Sequence, residues 1–189
     1  MTYVLPTIAT VGEEGINLGG IYNVYVQSSA VSATNSPDNP GIPFALGTRI
    51  TATNGSVWLM CTTNTTIAYG NVCAIDSNFN ATLVGGTGGA ASTASASFIG
   101  FYQNLTSLTT GQYAWFMISG EPTILVASAG VVGPLYTLDT AGALTGVVNT
   151  ASQYQIGGVG CVVTASGSTA SLTLSYANSV FVRKPQAGS

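Results

Sequence analysis

The sequence predicts an all-β chain: a single β-barrel or β-sandwich domain with an internal repeat of about 56 residues, preceded by an irregular N-terminal arm. Three observations carry this expectation. No segment sustains a 3.6-residue apolar period built from helix-forming residues. Short apolar runs are separated by Gly, Asn, Ser and Thr at intervals of about ten residues, the spacing of strands in sandwiches and barrels. An ordered set of markers also recurs along the chain.

In chain order, residues 1–44 differ in texture from the rest. Ile21 to Gln27 (IYNVYVQ) is β-branched and aromatic and reads as one strand. Around it lie Gly12-Glu-Glu-Gly15, Gly19-Gly20 and the run Ser36-Pro-Asp-Asn-Pro-Gly-Ile-Pro43, which are turn and extended-chain chemistry. Two readings stay open: an arm reaching a partner, with Tyr3, Val4, Leu5, Pro6 and Ile8 as its apolar contacts, or a surface loop carrying one strand.

The body of the fold is expected over 45–182, with units at 46–98 and 99–155, a partial copy at 156–182 and a polar tail at 183–189. Leu46-Gly47 recurs as Ile99-Gly100 and Ile156-Gly157. Asn54-Gly55, Thr110-Gly111 and Ser166-Gly167 each precede a strand, and their glycines are 56 residues apart. Gly70-Asn-Val-Cys-Ala-Ile-Asp76 matches Gly133-Pro-Leu-Tyr-Thr-Leu-Asp139 at identical spacing. Asp76 and Asp139, each followed by Ser or Thr, are expected to cap turns by accepting hydrogen bonds from nearby backbone N–H groups. Gly85 to Ser97 is an insertion in the first unit with nothing large to bury.

Gly111 to Val126 (GQYAWFMISGEPTILV) is expected to hold the core. Tyr113, Trp115 and Met117 alternate with Ala114, Phe116 and Ile118, so a strand through them is apolar on both faces, as a strand covered on both sides must be. Ser119-Gly-Glu-Pro122 reads as a turn, and Thr123 to Val126 as the strand returning beside the first. Trp58, Met60, Trp115 and Met117 occupy equivalent strand positions and are expected in the core; an alternative use of the two indoles is sugar stacking.

Charged residues make up only 5% of the chain, against roughly 25% in typical soluble domains. Arg49, Arg183 and Lys184 are the whole basic complement. They cannot neutralise a run of phosphates or anchor a polybasic segment, so neither nucleic acid nor membrane is an expected partner. The chain shows no basic leader followed by an apolar core, so synthesis in a cytoplasm is expected. With so few charges a free monomer is a poor colloid, and a protein covered by neighbours is expected.

The chain contains no histidine, which removes Ser-His-Asp and Cys-His catalysis. Cys61, Cys73 and Cys161 have no paired spacing, and buried free thiols are the expected reading. Asp76 and Asp139 as a glycosidase pair is conceivable from the repeat alone. No enzyme, no metal and no cofactor is therefore expected.

The strand ending in Gly-x-Leu-x-x-Leu-Asp139, the following TAGALTGVVNTASQYQIGGVG and the final apolar strand are similar to the small capsid decoration (cement) proteins of tailed bacteriophages. The resemblance covers about residues 46–182 and is one of texture and order. It implies a non-enzymatic virion protein, made in the host cytoplasm and placed on the outer capsid surface. There it would bridge subunits of the major capsid protein as a homo-oligomer, a trimer in preference to a dimer. The other reading kept open is a carbohydrate-binding or host-attachment β-module.

Overall fold

A computed structural model describes residues 18–23, 44–85, 95–126, 135–137, 142–145, 155–161 and 170–183. All regular elements among them are strands: β1 (Ile21–Asn23), β2 (Arg49–Thr51), β3 (Val57–Thr63), β4 (Val72–Ile75), β5 (Asn80–Leu83), β6 (Phe98–Tyr102), β7 (Gln112–Ser119), β8 (Thr123–Val126), β9 (Leu135–Thr137), β10 (Leu144–Thr145), β11 (Gln155–Cys161) and β12 (Ala170–Arg183). The arm residues Tyr3, Val4, Leu5, Pro6 and Ile8, the capping residue Asp139 and the tail beyond Arg183 lie outside the described residues.

The strands form two rings. In the first, β7, β6, β4, β5 and β3 follow one another and β3 pairs back onto β7; β1 extends the free edge of β7, and β2 that of β3. In the second, β10, β8, β12, β11 and β9 close a barrel. The two rings share one pairing scheme. Leading strand against last (β3–β7, β8–β12) is antiparallel, and leading strand against third (β3–β5, β8–β10) is parallel. The remaining ladders, β4–β5, β4–β6 and β6–β7 against β9–β10, β9–β11 and β11–β12, are all antiparallel. Even the parallel register coincides: Thr63 sits opposite Ala81, and 63 residues later Val126 sits opposite Leu144.

This grouping separates the strands between Ser119 and Thr123, whereas the sequence markers put unit boundaries at 99 and 156. The segment read as the start of a third copy contributes β11 and β12, the last two strands of the second ring. The hairpin expected between β7 and Thr123–Val126 is a correction. β7 already has β3 along one edge and β6 with β1 along the other. No edge is left for β8, which instead pairs with β10 and β12.

Alternation along each strand divides the first ring into an inside and an outside. Leu59, Cys61, Cys73, Ile75, Ala81, Tyr102, Ala114, Phe116 and Ile118, drawn from all five strands, meet in one buried cluster, which is the ring interior. That interior is full. A Cβ on Gly100 would stand 2.6 Å from Ile75 Cδ1 and 3.2 Å from Phe116 Cβ, so β6 has a glycine for lack of room. The opposite faces carry Trp58, Met60, Val72, Ala74, Ile99, Phe101, Trp115 and Met117. These join Leu18 from the N-terminal segment and Ile124, Val126, Leu135, Leu144 and Ile156 of the second ring in a second cluster. One cluster that spans both rings makes them one domain.

The β4–β5 turn shows how the repeat is built and where it is strained. Asp76 Oδ1 accepts from Asn78 N at 2.8 Å and Asn80 N at 2.9 Å, and Asp76 Oδ2 accepts from Asn80 Nδ2 at 3.4 Å. The turn needs a left-handed residue at its fourth position. The second unit supplies Gly142, at φ 79°, 63 residues after Phe79, which itself adopts φ 61°. A phenylalanine in this region costs about 1 kcal/mol or more. The offsetting contact is visible: its ring lies over Gly47, where an added Cβ would come within 2.4 Å of two ring atoms. Asp76→Ala is expected to lower stability by about 1 kcal/mol, the net worth of a typical hydrogen bond, measured by urea denaturation. An unchanged midpoint would show that the turn holds without its carboxylate.

Candidate functional site

Among the described residues no three His, Cys, Asp or Glu side chains gather as a metal site. The titratable groups in the first ring's interior are Cys61, Cys73 and the edge-lying Tyr102. Burial pushes all three well above their ordinary values; for Cys61 the neighbouring Cys73 and Asp76 add to it, and for Tyr102 Cys73 does. Thiols held protonated in this way are poor nucleophiles at neutral pH. Alkylation mapped by mass spectrometry is expected to leave Cys61 and Cys73 unmodified in the native protein and to modify both in denaturant. Native labelling as fast as in the unfolded chain would mean the ring opens. Because the folded values lie above the unfolded ones, the contribution of these groups to stability is constant at lower pH. It falls as pH rises past the unfolded thiol value of about 8.5.

The sequence-predicted core residues form reciprocal cross-strand pairs: Trp58 lies opposite Met117, and Met60 opposite Trp115. All four are buried on the outer face of the ring, where the second ring and Leu18 cover them. The indoles differ in their polar ends. Trp58 Nε1 donates to Ser56 Oγ at 2.8 Å, and that hydroxyl donates to Asn54 Oδ1 at 2.7 Å. Trp115 Nε1 has no acceptor among the described residues, although its ring packs on Phe44 at 5.2 Å between centroids.

Two side chains that sequence reasoning passed over join the rings. Gln103, itself buried, acts as a short piece of β-ladder: Oε1 accepts from Thr123 N at 2.9 Å, and Nε2 donates to Thr123 O at 2.8 Å and to Tyr102 O at 3.0 Å. Asn71 Oδ1 accepts from Ala68 N at 2.7 Å, and its Nδ2 donates to Gly142 O at 3.4 Å. Backbone bonds from Leu125 N to Gly70 O, from Val72 N to Gly142 O and from Gly142 N to Val84 O also cross the seam.

The same end of the first ring carries the most distinctive described surface. The loops 64–71 and 103–111 are tied together by mutual backbone bonds between Ile67 and Leu108. Tyr102 Oη donates to Thr106 O at 2.7 Å, Asn104 Oδ1 accepts from Thr106 N at 3.0 Å, and Asn104 Nδ2 donates to Gly19 O. Leu108 is fully buried, yet Leu105 is 74% exposed and is the one large apolar side chain so exposed among the described residues. Asn64, Thr66, Thr106, Ser107, Thr109 and Thr110 are exposed around these loops. No charged residue occurs between Asp76 and Glu121.

No protein-family model matches this chain, and comparison with curated proteins gives no match. This end thus combines a pinned backbone, exposed hydroxyl and amide groups and one exposed apolar side chain.

Proposed function

We propose that this chain is a structural, non-catalytic virion protein that binds the outside of an assembled phage capsid and stabilises it by bridging subunits of the major capsid protein, acting as a homo-oligomer, a trimer in preference to a dimer. The observation that carries this reading is the uncharged, internally pinned end of the first ring, in a chain whose described buried groups are committed to packing and backbone pairing. The decoration-protein resemblance of residues 46–182 supplies the shell as the partner. The mechanism is mass action: a ligand that binds only the assembled lattice stabilises it by its binding free energy, and an oligomer multiplies weak contacts.

Contacts made without charge are little affected by screening. Particles carrying the protein are therefore expected to retain it through a wash in about 1 M NaCl, where charged contacts are screened within about 3 Å. They are also expected to withstand heating better than particles lacking it. Release by salt, or equal heat resistance, would refute the proposal. A carbohydrate-binding module would present its tryptophans to solvent, whereas Trp58 and Trp115 are both buried. Blue-shifted, quencher-resistant tryptophan emission is the matching solution test.

A further inference from the structure

We infer that Asn54–Gly55 is a self-modification site, where the folded chain converts an uncharged amide into a carboxylate through a backbone succinimide. It is the one Asn-Gly pair in the sequence. The pair forms the tip of the turn between β2 and β3, and both residues are exposed. Gly55 stands at φ 82°, and a Cβ built on it would meet nothing within 4 Å. Its amide nitrogen, the atom that must attack, is therefore screened by no side chain of its own and is open to water.

The turn also prepares the carbon under attack. Asn54 Oδ1 accepts from Ser56 N at 3.1 Å, which folds the side-chain carbonyl back over the Asn54–Gly55 peptide. The same oxygen accepts from Ser56 Oγ at 2.7 Å, and that hydroxyl accepts from Trp58 Nε1 at 2.8 Å. Ser56 and Trp58 are buried, so the relay is fixed while the amide it serves faces solvent. Two donors on one carbonyl oxygen polarise Cγ and stay in place for the oxyanion that forms on attack. The indole behind the hydroxyl strengthens its hydrogen bond.

The chemistry balances with water alone. Gly55 N gives its proton to solvent and bonds to Asn54 Cγ. The bond from Cγ to Nδ2 then breaks, and the amide leaves as ammonia with a proton returned from solvent. Water opens the imide at either carbonyl: opening at Cγ leaves aspartate, and opening at the main-chain carbonyl leaves isoaspartate. Gly55 N–H donates to Ala52 O at 2.9 Å, and that bond must be released before attack. It lies at an exposed tip, where local opening costs least. The product sets a new negative charge beside Ser56, in a chain of net charge -3. Isoaspartate also lengthens the turn that the bond from Ala52 N to Ser56 O closes. None of this rests on the shell reading.

The test is to age the full chain, Ser56→Ala and Asn54→Gln in mildly alkaline buffer, both native and in urea. Peptide mass spectrometry follows replacement of the Asn54 amide by a carboxyl group, and enzymatic methylation reports isoaspartate. In the native chain Asn54 is expected to convert ahead of every other asparagine. Ser56→Ala loses the hydroxyl donor and is expected to slow native conversion about tenfold, the worth of one hydrogen bond in the transition state. In urea the two chains should convert at the same rate. Asn54→Gln must close a larger, slower ring and is expected to show no conversion at this site. Trp58→Phe withdraws only the hydrogen bond behind the hydroxyl; a slower native rate and an unchanged rate in urea are expected for it too, which keeps the test open if Ser56→Ala does not fold. A native Asn54 that stays intact while the unfolded chain converts would overturn the inference, because the turn would then be a lock. Native conversion in Ser56→Ala as fast as in the unmodified chain, or faster, would overturn it equally.

Discussion

Gln103→Leu is expected to lower stability by about 2–6 kcal/mol, because it strands the two backbone groups of Thr123 at about 1–3 kcal/mol each. Gln103 meets both of those groups and also gives a hydrogen to Tyr102 O, all within buried surroundings. Leucine fills a similar volume and offers no replacement partner, so the loss reports polar pairing more than packing. The near-isosteric Gln103→Glu separates the two further. Its carboxylate could still accept from Thr123 N, but it would face two carbonyl oxygens that had received N–H donors. The folded state therefore holds that carboxyl protonated, with a pKa above the unfolded value of about 4.3. A raised folded pKa means that the folded state binds more protons. The variant's deficit should accordingly widen as pH rises through and above that unfolded value. Urea midpoints at acid and neutral pH check this. A deficit that stays the same at both pH values would place water at the seam.

The all-β class, the two-faced apolarity of β7 and the turn chemistry of Asp76 were legible because each is written within a few neighbouring residues. Ala114, Phe116 and Ile118 enter the ring while Trp115 and Met117 face outward to the second cluster, and a strict period of two along Gln112–Ser119 is enough to foresee both. The pairing of β8 was not legible. It depends on whether the edges of β7 are free, and they are filled by strands that begin 55 residues earlier, at Val57, and elsewhere at Ile21 and Phe98. The fate of the 103–111 loop was hidden for a similar reason. In Asn104-Leu-Thr-Ser-Leu-Thr-Thr110 the two leucines look alike, and only a bridge to Ile67, across the chain, decides that Leu108 is buried and Leu105 is not. Gln103 and Asn71 carry no pattern at all, since amides are ordinary in turns and their seam partners, Thr123 and Gly142, lie on the other ring.

Trp58→Ala and Trp115→Ala are each expected to cost about 3–5 kcal/mol, the usual range for removing a buried aromatic side chain. Both lie between the ring and its cover and are fully buried, so truncation leaves a cavity where first ring, second ring and N-terminal segment meet. Phenylalanine should then set the two sites apart. At position 58 it discards the bond from the indole Nε1 to Ser56 Oγ, worth about 1 kcal/mol, in addition to lost area. At position 115 it removes a buried donor that has no acceptor among the described residues, and about 1–3 kcal/mol of desolvation cost with it, while a ring remains to pack against Phe44. Trp115→Phe should therefore lose clearly less stability than Trp58→Phe, and it could match the parent. Urea midpoints at unchanged m measure the difference. An equal or greater loss at position 115 would mean that indole shape, and not the unpaired N–H, dominates there, and the seam would then be read as tightly packed around both rings alike.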